Sequence, residues 1–152
     1  MNTFFIFSAK YLFILAPIIL GVYFLTRKWP AQKRMALFAI PAGPLAYLFG
    51  IIGNHLYYDP RPFVVGHFVP LVQHAADNGF PSDHTLLVAA FAAVGMYWDK
   101  RLGIALWVIA ILVAASRVYV GVHHPIDVLA SMAFALIAVS AWRMIMSHMW
   151  SE

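Results

Sequence analysis

The stretch "LGIALWVIAILVAASRVYVGVHHPIDVLASMAFALIAVSAW" (residues 102–142) decides the fold. It reads as two apolar runs, about 102–121 and 125–146, and a helix needs about 20 mostly apolar residues to cross roughly 30 Å of hydrocarbon. Polar residues gather where one run ends and the next begins: Ser116, Arg117, His123, His124 and Asp127. A chain that crosses a bilayer twice in succession therefore carries its reactive side chains at one end of the pair.

Working outward, the same pattern recurs at about 5–26, 35–57 and 82–98, with charged or Pro-containing breaks between the runs. Of the 152 residues, 63% are hydrophobic and 11% charged, with a mean hydropathy of +0.80, whereas a soluble domain carries roughly a quarter charged residues. The expectation is one domain, residues 1–152: an all-α integral membrane helix bundle of about five transmembrane spans, six at most. The N-terminal "MNTFFIFSAKYLF" has no basic leader region and no small-residue cleavage site, so it reads as an uncleaved first span. With no cysteine in the chain, disulfides, thiolate nucleophiles and Cys-ligated metals drop out.

Threading the spans alternately puts "RKWPAQKR" (27–34), "DKR" (99–101) and Arg143 on one side, seven of the ten basic residues, which the positive-inside rule makes cytoplasmic. The other side receives Asp59, Asp77, Asp83 and Asp127, four of the six acids, and six of the seven histidines. A transporter or proton relay places ionisable groups in mid-span. Here the polar groups collect at the outer end, which fits an enzyme acting on a membrane lipid with a charged head and gives no reason to expect a nucleic-acid partner.

Three blocks converge there: "NHLYYDPRP" (54–62), "PSDH" (81–84) and "SRVYVGVHHPID" (116–127). In the second, Ser82 stands near a helix N-cap and His84 in the first turn, where free amides and the helix dipole favour an anion. A phosphate at that point lies beside a histidine able to protonate a leaving oxygen; the plainer alternative is a serine cap with a solvated Asp and His. In the third block His123 and Asp127 share a helical face, so a carboxylate can fix the tautomer of a nucleophilic imidazole. The alternative is a dipole-favoured Asp at a helix start and a surface His. His124 points elsewhere on a helix. Arg61 and Arg117 carry planar forks that match phosphate oxygens and hold their charge. Read singly, each is also compatible with an interfacial arginine reaching lipid phosphates. The polar, Pro-bearing loop between the second and third spans is too long for a simple turn, which marks it as functional.

The order Arg61-Pro62, Pro81-Ser82-Asp83-His84, then Ser116-Arg117 with His123 and Asp127 at fixed spacing resembles the type 2 phosphatidic acid phosphatase superfamily. The resemblance covers spans two to five. It implies His123 as the nucleophile that forms a phosphohistidine, Asp127 as its partner and His84 as the acid. It further implies Arg61, Arg117, Ser82 and Ser116 around the phosphoryl oxygens, with Asp83 and Gly121 close by, and it implies no metal and no cofactor; the sequence shows no acidic ligand cluster either. The family's usual lysine seven positions before Arg61 is Asn54 here, which can still donate a hydrogen bond. The usual Gly of the second block is Asp83, and "PSDH" looks like the bacterial subgroup that dephosphorylates undecaprenyl diphosphate and confers bacitracin resistance. The expectation is a bacterial cytoplasmic-membrane enzyme that hydrolyses this polyprenyl lipid at the outer face. Phosphatidic acid, phosphatidylglycerol phosphate or lipid A as substrate, transfer to another lipid, and a non-enzymatic bacitracin or lipid-carrier permease subunit are the alternatives. Oligomeric state is left open.

Overall fold

A computed structural model describes residues 2–149. Its elements are α1 (Asn2–Tyr11), a 3-10 turn at Leu12–Ile14, α2 (Leu15–Leu25), α3 (Trp29–Leu56), α4 (Pro62–Val65), α5 (Asp83–Trp98), α6 (Lys100–Tyr119) and α7 (Pro125–Met149). No strand occurs among the described residues, in keeping with the expected all-α bundle; an isolated bridge joins Pro60 and Asn78. Among the described residues, four stretches are long and apolar enough to cross a membrane: Asn2–Leu25, α3, α6 and Pro125–His148 of α7. With its 16 residues, α5 is about 24 Å long and forms the centre of the bundle.

Two boundaries differ from the sequence reading. The second span begins at Trp29, six residues before the expected 35, because Pro30 suits a helix start and exposed Lys33 and Arg34 stay solvated on the first turns. The first span is broken by the 3-10 turn, which hydrophobic continuity does not register.

Small residues make α5 central. Its buried face carries Ala89, Ala90, Ala92, Ala93 and Gly95 among bulkier Leu86, Val88 and Val94, and small residues let helices in a membrane pack closely. Against α6 the contact is nearly backbone on backbone: a Cβ on Gly103 would lie 2.3 Å from Met96 Cα. Phe38, Val88, Leu106 and Val113 fill the main core between α3, α5 and α6. Asp99 links α5 to α6 directly, its carboxylate accepting from the amides of Arg101 (2.8 Å) and Leu102 (3.1 Å), so one residue both ends a helix and caps the next. As a result the start of α5, the end of α6 and the start of α7 meet at one end, together with the loop that follows α3.

Candidate active site

One side chain, that of Asn78, ties several points of the loop from Tyr57 to Ser82. Asn78 Oδ1 accepts from the amides of Asp59 (2.9 Å) and Phe80 (3.0 Å), and its Nδ2 donates to the carbonyls of Asn54 and Tyr57, both at 3.0 Å. That fold-back presents Arg61, 5% exposed, to the bundle. From the other direction α6 delivers Arg117, 3% exposed, and the chain then turns at Gly121, whose φ of +80° is glycine's territory. Val122 follows, its carbonyl taking a hydrogen bond from Arg61 Nη1 at 2.9 Å, and His123 comes next.

At the centre lies the His123 ring, 2% exposed. Its Nδ1 is 3.2 Å from Asp127 Oδ2, and its Nε2 is 3.3 Å from Arg61 Nη1 and 3.3 Å from Arg117 Nη2. Guanidinium nitrogens only donate. Two donors facing Nε2 require a lone pair there, so the ring proton sits on Nδ1 and is donated to Asp127. Burial lowers the His123 pKa, Asp127 opposes that shift, and the two guanidiniums add to it, so the neutral ring is favoured. Asp127 is fully buried and also accepts from the His124 amide at 2.8 Å. The arrangement presents an unprotonated ring nitrogen, with its orienting carboxylate behind it and two cations beside it.

In front of His123 opens a cavity of about 320 Å³, lined by Arg61, Arg117, His84, Asp83, Asn54 and His74 among others. Arg117 donates to the Ala9 carbonyl at 3.4 Å through Nη1, but its buried Nε has no partner. The Arg61 Nε is paired with Asp77 at 2.7 Å; burial disfavours the Asp77 charge, and the guanidinium overrides it, holding the carboxyl below its usual range. His84, second residue of α5, packs edge-on against Phe13 at 4.6 Å.

Not every expected residue faces the cavity. Ser116 is buried with its hydroxyl donating to Leu112 in its own helix (2.6 Å), and Ser82 is buried with its hydroxyl accepting from Thr85 Oγ1 (3.1 Å) and makes no side-chain cap bond. Asn54 reaches the cavity wall, but its Nδ2 donates to the Phe80 carbonyl at 2.8 Å, pinning the chain just before α5. Gly121 serves the turn and does not line the cavity. His124 points away, as expected, and pairs with Asp59 at 3.0 Å. The sequence reading found no acidic ligand cluster; the structure brings Asp59, His124 and Asp127 together with potential ligand atoms within 4.8 Å. His124 and Asp127 are three residues apart, but Asp59 is distant in sequence and only the loop's fold-back brings it to them. Burial and the nearby Asp127 raise the Asp59 pKa, with His124 opposing.

Sequence reasoning missed His74, Asp77 and Asn78. His74 lines the cavity with its ring 6.3 Å from that of His123. The only signal was the length of the polar loop that carries all three.

Apolar rods holding imidazoles, carboxylates and guanidiniums at one end make a multi-pass membrane enzyme. The chain belongs to the PAP2 superfamily, whose family model matches residues 35–150. It is 31% identical over 137 residues to the undecaprenyl-diphosphatase BcrC of Bacillus subtilis, covering 90% of this chain and 70% of that one. To the Escherichia coli putative undecaprenyl-diphosphatase YbjG it is 34% identical over 135 residues, covering 87% and 67%. The crystal structure of Aquifex aeolicus LpxE matches with a TM-score of 0.76 at 24% identity, over 94% of this chain and 85% of that one, a likeness of fold. This chain is accordingly a hydrolase of the PAP2 class.

Proposed function

We propose that the whole chain acts as one phosphatase domain that hydrolyses undecaprenyl diphosphate to undecaprenyl phosphate and inorganic phosphate at the outer face of the bacterial cytoplasmic membrane. The observation that carries the reading is the convergence of two buried guanidiniums on one imidazole nitrogen, with Arg117 Nε unpartnered beside it. Buried like charges are costly unless an anion joins them, and a terminal phosphate supplies one. The names of BcrC and YbjG support the choice of lipid.

In the first step the lone pair of His123 Nε2 attacks the terminal phosphorus, and the bond from phosphorus to the bridging oxygen breaks. Its electron pair stays with the departing lipid phosphate, which takes a proton from His84. The negative field of the bound diphosphate favours the imidazolium form of His84 that this step needs. Arg61 and Arg117 stabilise charge on the equatorial oxygens, while Nδ1–H stays bonded to Asp127 as the ring becomes cationic. Water then attacks the phosphohistidine, His84 takes a proton from it, and the N–P bond breaks, restoring the Nε2 lone pair and releasing phosphate.

The test is phosphate release from undecaprenyl diphosphate by detergent-purified protein in excess EDTA, wild type against His123→Ala. Release by the wild type alone, with an acid-labile phosphoenzyme on rapid quench, is expected. Release by both proteins overturns the nucleophile, and faster release from phosphatidylglycerol phosphate or lipid A overturns the substrate.

A further inference from the structure

The steps at His123 and His84 leave a third histidine in the cavity without a task. The loop carries His74 to the cavity wall, where its ring stands edge-on to that of His123 with 6.3 Å between centroids. Its Nδ1 faces the Ala75 carbonyl at 3.4 Å and the Asp77 carboxylate at 4.0 Å. Both are acceptors, so Nδ1 carries the ring proton and Nε2 is the nitrogen available to a ligand in the cavity.

The charges around the ring set its state. Burial lowers the His74 pKa, Arg61 and Arg117 add to that, and the Ala75 hydrogen bond and Asp77 oppose it, so the neutral ring is favoured. Asp83 and His84 at the start of α5, His55 near the end of α3 and His123 line the same cavity. The two carboxylates favour a charged His74, and the other histidines oppose it when protonated. A phosphoryl group among these residues reverses the balance, because its negative charge offsets the two guanidiniums. Asp77 then serves both cations, since the same oxygen lies 2.7 Å from Arg61 Nε.

We propose that His74 is a further catalytic residue, a third phosphoryl-oxygen ligand beside Arg61 and Arg117, which takes up a proton as the terminal phosphate binds and donates Nε2–H to one of its oxygens. The assignment rests on the phosphatase reading of the cavity. The proton comes from solvent on binding and returns there when phosphate leaves. Distance selects the terminal phosphate over the inner one. A phosphorus poised for attack stands about 3–3.5 Å from the His123 nitrogen, and a charge-assisted bond to its oxygen spans about 2.7–2.9 Å. Rings 6.3 Å apart leave room between them for that oxygen and no further layer of atoms.

His74→Gln places an amide N–H where Nε2–H stood and carries no charge, whereas His74→Leu keeps bulk and has no donor. Inorganic phosphate is titrated into detergent-purified protein by calorimetry at about pH 6 and about pH 8, either side of the usual histidine value, and release from undecaprenyl diphosphate is measured in parallel. His74→Leu should weaken phosphate binding at the lower pH at least about tenfold, the size of a hydrogen bond to a charged group, and lower kcat/KM by a similar factor. His74→Gln should bind like the wild type at the higher pH and fall behind it as pH drops; ionisation of phosphate and of the other cavity groups is common to both proteins and cancels in the ratio. A leucine variant with wild-type affinity overturns the assignment. Equal losses in both variants at both pH values also overturn it and make the ring a prop for the loop. If His74→Leu does not fold, the pH dependence of the His74→Gln ratio decides. A wild type that binds phosphate with the expected ratio but releases none from the prenyl lipid refutes the functional reading and leaves His74 in place, whereas a wild type that binds no phosphate refutes His74.

Discussion

His123 is a buried imidazole whose two nitrogens have opposite tasks, and its surroundings set its pH behaviour. Only the neutral ring can attack phosphorus, and burial favours that form, so the acidic limb of kcat/KM should fall below about 6.5, the usual histidine value. Asp127 is the group that resists this lowering. Asp127→Asn should therefore move the limb to still lower pH and cut kcat, since the ring loses the charge that supports it during attack; a limb displaced upward would contradict the assignment. Substrate ionisation is common to both proteins and cancels in the comparison. The same depressed pKa contributes stability that is present above about 6.5 and lost as pH falls through the folded value. For His84 the check is the leaving group. His84→Ala should cost about 10²- to 10⁴-fold on a poor leaving group and much less on an activated aryl phosphate, whereas equal losses would remove His84 as the acid. Most of this constellation was legible because His123, Asp127, Arg117, Arg61 and His84 lie in short fixed-spacing blocks. Ser82 and Ser116 lie in the same blocks, but their hydroxyls turn inward, and no spacing rule says which way a hydroxyl bonds.

Helices and loops divided differently between sequence and structure. Apolar continuity located the long helices, since a bilayer forces about 20 apolar residues per crossing; it missed the 3-10 break inside the first of them and placed the start of α3 late, where proline and solvated basic residues allow a helix to run past the membrane edge. The loop from Tyr57 to Ser82 resisted reading because it is organised by long-range hydrogen bonds, four of them from the amide of Asn78, rather than by any periodicity. That dependence is testable. Asn78→Ala removes four hydrogen bonds, each worth about 0.5–1.5 kcal/mol net, so unfolding free energy should fall by about 2 kcal/mol or more. Activity should fall further than stability alone explains, because Arg61 is carried on the released segment. Asn78→Asp keeps the two bonds at Oδ1 and should lose about half as much. A variant with wild-type melting temperature and kcat would show that the loop is held by its ends instead.

For the molecule as a whole the prediction concerns orientation, and the chain offers a clean way to read it. Seven of its ten basic residues lie at the end opposite His123, which the positive-inside rule assigns to the cytoplasm. On the proposed reading the catalytic end faces outward, where a carrier lipid left as a diphosphate by cell-wall synthesis would meet it. Because the protein contains no cysteine, single substitutions report sidedness without background. Gln73 and Lys100 are both exposed, the first on the loop that roofs the active site and the second at the turn between α5 and α6. In intact spheroplasts a membrane-impermeant maleimide should label Gln73→Cys, while Lys100→Cys should react only after the membrane is broken. The reverse pattern would put His123 in the cytoplasm and remove the outer-leaflet lipid as substrate. Labelling of both sites in sealed cells would mean that the protein inserts in two orientations, with an active site on each side.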